Sequence, residues 1–192
     1  MCGLPRRSGQ PANERIVTDG SGMTPPPSGG APTKARQGAV SVRAMRPADL
    51  PAVMRIERRS FTMPWQETTF RALMRRPSTA LLTAELAGQA ATTVTGFSVL
   101  WFAADEAELG DLAVDPDFRG RGIGRLLLEA SIETARRRGA DVLYLEVRES
   151  NQAARALYEG RGFETVGRRP GYYSEPREDA CVMRLDLQNE AR

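Results

Sequence analysis

Two stretches of this 192-residue chain hold side chains whose types and spacing could do chemistry. In the first, Arg119-Gly120-Arg121-Gly122-Ile123-Gly124-Arg125 follows an apolar run and opens a long periodic segment. Glycines let backbone approach a ligand closely, and a helix N-terminus presents amide groups and the positive end of a dipole. With three arginines added, the run reads as an anion cradle suited to a pyrophosphate; the plainer reading is a glycine-rich turn between strand and helix. No Gly-Lys-Ser/Thr follows, so it is not a Walker loop. A dinucleotide-binding loop would come early in the chain, whereas this one follows several strands. Glu146, about 22 residues on, keeps that alternative open.

The second stretch is limited by what the chain lacks. With no histidine, Ser-His-Asp and Cys-His machinery and the usual catalytic zinc sites are excluded. Cys2 and Cys181 have neither metal nor redox spacing, and no metal is expected. The single lysine, Lys34, lies in a Pro/Gly-rich segment, which leaves acid–base work to carboxylates and tyrosines. Glu146 interrupts the apolar run 142–147 and alternates onto one face with Val142 and Tyr144. Apolar surroundings push a carboxylate toward proton affinities useful near neutral pH. By residue type alone, a strand-end carboxylate paired with Arg148 or another arginine explains it as well. Asn151 and Tyr158, seven apart, would project from one helix face about two turns apart. A helix cap and a packed ring are their plain readings.

These groups need a scaffold. The patterning predicts a strand at 40–45, a helix at 48–60 with Leu50, Val53, Met54, Ile56 and Glu57 inward, and a short helix after Pro64-Trp65. Strands follow at 80–86, 93–102 and 108–114. Residues 122–138 form the strongest helix, with Ile123, Leu126, Leu127, Ala130 and Thr134 on one stripe and Gly139 closing it. A strand at 142–147, a helix at 150–161 and strands at 164–168 and 180–187 complete an α/β (α+β) domain around a central sheet.

Residues 1–40 are rich in Pro, Gly and Ser and lack the apolar content to offset chain entropy, so they read as a disordered tail before a domain at 41–192. The chain carries 27 basic and 24 acidic residues. Five of the basic and two of the acidic residues lie in the tail, leaving 22 of each sign in the domain. A nucleic-acid-binding role therefore loses its electrostatic footprint. No window approaches a membrane span, the first residues lack a secretory h-region, and the cysteines are few; together these point to the cytoplasm.

The run 119–124 resembles the Q/R-x-x-G-x-G/A acyl-CoA motif of GNAT acetyltransferases. More narrowly, several short matches resemble the RimI-type ribosomal-protein alanine N-acetyltransferases: Asp105-Glu106-Ala107, Leu112-Ala113-Val114-Asp115-Pro116, Leu145-Glu146-Val147-Arg148, Asn151, Ala156-Leu157-Tyr158-Glu159, Gly162-Phe163, Tyr172-Tyr173 and Arg177-Glu178-Asp179-Ala180. Asp49-Leu50-Pro51 and Pro64-Trp65 match the N-terminal half, and the likeness spans about 42–187. It implies a mixed sheet of about six to seven strands with about four helices, and acetyl-CoA as co-substrate. The loop Arg119, Gly120, Arg121, Gly122, Ile123, Gly124 and Arg125 would bind the pyrophosphate. Leu112, Ala113 and Val114 would pair with the pantetheine arm, and Asn151 would bind the coenzyme. Glu146 would be the general base and Tyr158 the acid that protonates the departing thiolate. Trp65, Tyr172 and Tyr173 are candidate walls of an acceptor groove, and Glu106 a candidate attractor for a basic peptide. The implied acceptor is the N-terminal alanine of the eighteenth small-subunit ribosomal protein. Another amine, or acyl-CoA binding without turnover, stays open at this level.

Overall fold

The computed structural model describes residues 16–17, 39–88 and 91–188. Its strands are β1 (Ile16–Val17), β2 (Val40–Ala44), β3 (Thr79–Ala87), β4 (Thr92–Ala103), β5 (Glu106–Val114), β6 (Val142–Arg148), β7 (Glu164–Ser174) and β8 (Arg177–Asp186). The helices are α1 (Leu50–Ser60), α2 (Glu67–Met74), α3 (Ile123–Arg137) and α4 (Gln152–Glu159). The sheet runs β2-β3-β4-β5-β6-β8-β7, with β1 attached to β5 off this path. Within the seven-strand path only β5 and β6 pair in parallel; the other neighbours are antiparallel. This mixed topology excludes the dinucleotide-binding alternative, which requires a doubly wound parallel sheet.

Two apolar layers cover the sheet. On one face α3 and α4 bury Ile123, Leu127, Leu128, Ile132 and Tyr158 against Leu109, Leu112, Leu143, Leu145 and Val147. On the other, α1 and α2 bury Leu50, Val53, Ile56 and Phe70 against Leu81, Phe97 and Val99. Each such buried side chain contributes about 1.5–3 kcal/mol by leaving water. The inward face expected of α1 is the one observed, Glu57 included. In α3 the buried stripe passes through Ile123, Leu127, Leu128, Ser131, Ile132 and Ala135, whereas Leu126 stands 37% exposed. A stripe counted one residue early put Leu126 inside; the 3.6-residue turn carries it past the edge of the core face. Strand β7 runs on to Ser174, past the expected 168, and β8 starts at Arg177, before the expected 180, because each supplies the other's missing hydrogen-bond partners.

One irregularity shapes the centre. Val99 pairs with Asp111 and Leu100 with Leu109, so Gly110 is an extra residue on β5. Such a bulge bends its strand and sharpens its twist. The position demands glycine, since an added Cβ would fall 1.4 Å from Trp101 Cζ3. Pairing of β5 with β6 ends at Leu109↔Leu145, just before the bulge, although both strands continue. The two strands therefore part, and beyond the bulge Leu112 and Ala113 pair with β1 instead of β6.

Two residues of the segment read as a tail are described apart from the domain. Ile16 and Val17 pair in parallel with Leu112 and Ala113 of β5. A β-branched apolar pair suits a strand, and β5 beyond its bulge has backbone groups that β6 no longer satisfies. Residues 1–15 and 18–38 lie outside the described residues, and Val40 already opens β2.

Candidate active site

The glycine–arginine run begins where β5 ends. Asp115, 1% exposed, is held in ion pairs with Arg59 at 2.6 Å and Arg55 at 3.6 Å, and its carboxylate accepts the Asp117 N–H at 3.1 Å. This ties the loop to α1. A 3-10 turn, Pro116–Phe118, then leads into Gly120 and Gly122, with φ of 72° and 76°. Residues with side chains rarely adopt that left-handed region. A Cβ built on either glycine meets nothing within 4 Å, so the loop's concave side is open. The first intrahelical bond of α3 runs from Leu126 N–H to Gly122 C=O, which leaves the amides of Ile123, Gly124 and Arg125 outside the helical ladder. Arg119 Nε turns back to donate to Val114 C=O at 3.2 Å, Arg121 lies 5.2 Å over the Phe118 ring, and Arg125 pairs with Glu129. Open backbone, oriented amides and nearby guanidinium groups fit a pyrophosphate.

Glu146 Oε2, the Tyr158 hydroxyl and the Tyr173 hydroxyl are buried without a hydrogen-bond partner among the described residues, and Tyr173 interacts electrostatically with both Tyr158 and Glu146. Each such group costs about 1–3 kcal/mol when left unsatisfied, so the three mark a place that something else must satisfy. Glu146 lies on the less covered face of β6, with Val142, Tyr144 and Arg148, and its side chain is 9% exposed. Its Oε1 meets Arg169 Nε at 2.8 Å. The arginine reading of Glu146 is thus observed, but the partner is Arg169; Arg148 pairs with Glu178 at 3.2 Å. Tyr158 on α4 is fully buried, its ring edge-on to Phe163 at 5.7 Å. Burial, and secondarily Tyr173, raises its phenol well above the ordinary 10, so it keeps its proton through the physiological range. Tyr173 is raised likewise, first by burial and then by Tyr172 and Glu146.

Other expected site residues fall into different places. Asn151 caps α4, its carboxamide oxygen accepting Ala154 N–H at 3.1 Å. Trp65 is 7% exposed and packs edge-on to Phe70 and Trp101 at 5.6 and 5.8 Å, a core residue rather than an open groove wall. Tyr173 is buried beneath Arg148, 4.1 Å from its ring, while the half-buried Tyr172 meets it edge-on at 5.1 Å. Glu106 starts β5 opposite Val142, at the far end of the strand from the loop, roughly 25 Å from it at about 3.3 Å per residue. Gly110, Asp115 and Arg169 were not singled out in the sequence. A glycine inside a strand pattern is a recognisable bulge signal, but nothing in the spacing links Asp115 or Arg169 to its partner.

Parted parallel strands, an anion cradle opening a helix, and a buried proton donor together define a coenzyme A-dependent acyltransferase. Residues 50–163 match the model of the acetyltransferase (GNAT) family, and the chain belongs to that family. It is 40% identical over 150 residues to the [ribosomal protein bS18]-alanine N-acetyltransferase of Salmonella typhimurium, covering 77% of this chain and 97% of that protein. The Escherichia coli enzyme of the same name is 38% identical over 149 residues, with the same coverages. The crystal structure of the ribosomal-protein-S18-alanine N-acetyltransferase from Escherichia coli matches with a TM-score of 0.69 at 36% identity, covering 78% of this chain and 94% of that one. That of Ard1 from Thermoplasma volcanium gives 0.68 at 30%, covering 77% and 97%.

Proposed function

We propose that residues 41–192 transfer the acetyl group of acetyl-CoA to the N-terminal alanine of small-subunit ribosomal protein bS18, the eighteenth, by direct attack in a ternary complex. The observation that carries this reading is the 40% identity across nearly the full length of an enzyme named for that reaction. The pyrophosphate rests on the loop 119–125, and the pantetheine arm pairs with Leu112, Ala113 and Val114 where β5 has left β6. Asn151 borders the coenzyme from the start of α4, and Tyr172 borders the acceptor.

Glu146 removes a proton from the acceptor's α-ammonium, whose ordinary pKa is about 7.7–8.0 and which needs only a modest base. The freed amine attacks the thioester carbonyl; the N–C bond forms and the C–S bond breaks. Tyr158 gives its proton to the departing sulfur. The phenol suits this because burial keeps it protonated. The acceptor places the enzyme in the cytoplasm, and the even charge of the domain supports a peptide rather than a nucleic acid as partner.

The test is to incubate the purified chain with acetyl-CoA and a peptide carrying the bS18 N-terminus. Thiol release is followed, and the acetylated atom is located by mass spectrometry. Acetylation confined to the α-amine, and lost when that amine is blocked, is expected. Faster turnover on small-molecule amines would replace the proposed acceptor, and no thiol release with any amine would remove the enzymatic reading.

A further inference from the structure

Arg169 is a cation set against a carboxylate that needs to react. Its Nε lies 2.8 Å from Glu146 Oε1, and the Glu146 side chain is only 9% exposed while Arg169 is 45% exposed. Glu146 Oε2, on the same carboxylate, is buried without a partner. The guanidinium also lies 5.7 Å from the ring of Tyr172. A register shift between Arg169 and Tyr173 in the β7–β8 pairing sets this stretch off from the regular ladder. Other charged groups around Glu146 are engaged elsewhere. Arg148 on its own strand pairs with Glu178. Arg184 on β8 pairs with Asp186, and Arg168 on β7 pairs with Glu149 and Asp179. Tyr144 on β6 and Tyr173 on β7 are further titratable neighbours, Tyr158 on α4 lies within reach of Tyr173, and burial holds Tyr158 and Tyr173 as neutral phenols.

We infer that Arg169 is a positioning and specificity-determining residue. It fixes one oxygen of Glu146, leaves the other for the acceptor's proton, and cancels the charge that would draw in persistent ammonium groups. This rests on the reading of Glu146 as the base. The consequence is discrimination between amines. An α-amine at pH 8 is about half free base, whereas a lysine side chain of pKa about 10.4 is roughly 0.4% free base. A carboxylate already paired with a guanidinium draws ammonium groups less strongly, so the amine that gives up its proton more readily is favoured. Without the guanidinium an uncompensated carboxylate would attract and concentrate lysine ammonium as well.

The experiment compares wild type with Arg169→Gln and Arg169→Ala, two replacements at a half-exposed position. The readouts are melting temperature and kcat/KM for two peptides. One peptide has a free N-terminal alanine and no lysine; the other has a blocked N-terminus and one lysine. Expected are near-native melting and an α-over-ε preference reduced about tenfold. Arg169→Lys should recover part of that preference. Folded variants with unchanged preference would overturn the inference while leaving Glu146 as base. Wild-type turnover in Glu146→Gln would instead remove the base, and this inference with it.

Discussion

Replacing Tyr158 by Phe separates a catalytic hydroxyl from a packed ring, because the two roles move stability and turnover in opposite ways. The ring is fully buried and its hydroxyl has no hydrogen-bond partner among the described residues. Burying such a group costs about 1–3 kcal/mol, so removing the oxygen while keeping the ring should stabilise the fold. For a domain of this size 1 kcal/mol shifts the melting temperature by roughly 2–4 °C, so Tyr158→Phe should melt about 2 °C or more above wild type. Turnover should fall by roughly 10²–10⁴, the usual contribution of a positioned proton donor, equivalent to about 2.7–5.4 kcal/mol of transition-state stabilisation. The assay pairs thiol release at saturating acetyl-CoA and peptide with calorimetric melting of the same samples. Because burial holds the phenol well above its ordinary pKa, it stays protonated as pH rises. Wild type should then show no alkaline loss assignable to this group below pH about 10. Turnover within a few-fold of wild type would refute the acid role, and a drop in melting temperature would show that the hydroxyl has a partner after all.

Glu146→Gln, which keeps shape but cannot accept the proton, should lower turnover by roughly 10²–10⁴ with acetyl-CoA binding intact; a loss of coenzyme affinity by calorimetry would place the residue elsewhere in the cycle. Gly122→Val forces a β-branched residue into φ 76° and puts a side chain into the open cradle, so acetyl-CoA affinity should drop at least tenfold in a folded protein. Gly110→Ala would drive its Cβ against Trp101 and should cost about 1–3 kcal/mol in urea unfolding, with loss of the Trp65–Trp101 stacking in near-ultraviolet dichroism. Removing residues 1–38 withdraws β1 from Leu112 and Ala113, the backbone proposed for the pantetheine arm. The acetyl-CoA KM should therefore fall with kcat nearly unchanged, and a higher KM would show that β1 supports the cleft rather than competing for it.

Much of this protein is local and was legible as such. Helix and strand periods, the glycine run before α3, and the short matches around Glu146 and Tyr158 are properties of contiguous residues, and they led to the observed fold. Leu126 was misplaced because a stripe boundary depends on how far the neighbouring core extends, which no window of sequence contains. Glu146 shows the division most clearly. Its strand, its face and its need for a charged partner could be read from alternation, yet the partner is Arg169 and not Arg148. That choice is made by the β7–β8 hairpin, whose register shift lies more than twenty residues along the chain. The opening between β5 and β6 likewise arises where Gly110 bulges against Trp101 on the adjacent strand. Trp65 went to the core rather than a groove for the same reason: an aromatic residue's destination depends on which surfaces the finished fold brings to it. Spacing along the chain determines elements and the chemistry they hold. Which charges meet, which strands part and which rings are covered depend on contacts distant in sequence, whose energies exist only once the sheet has assembled.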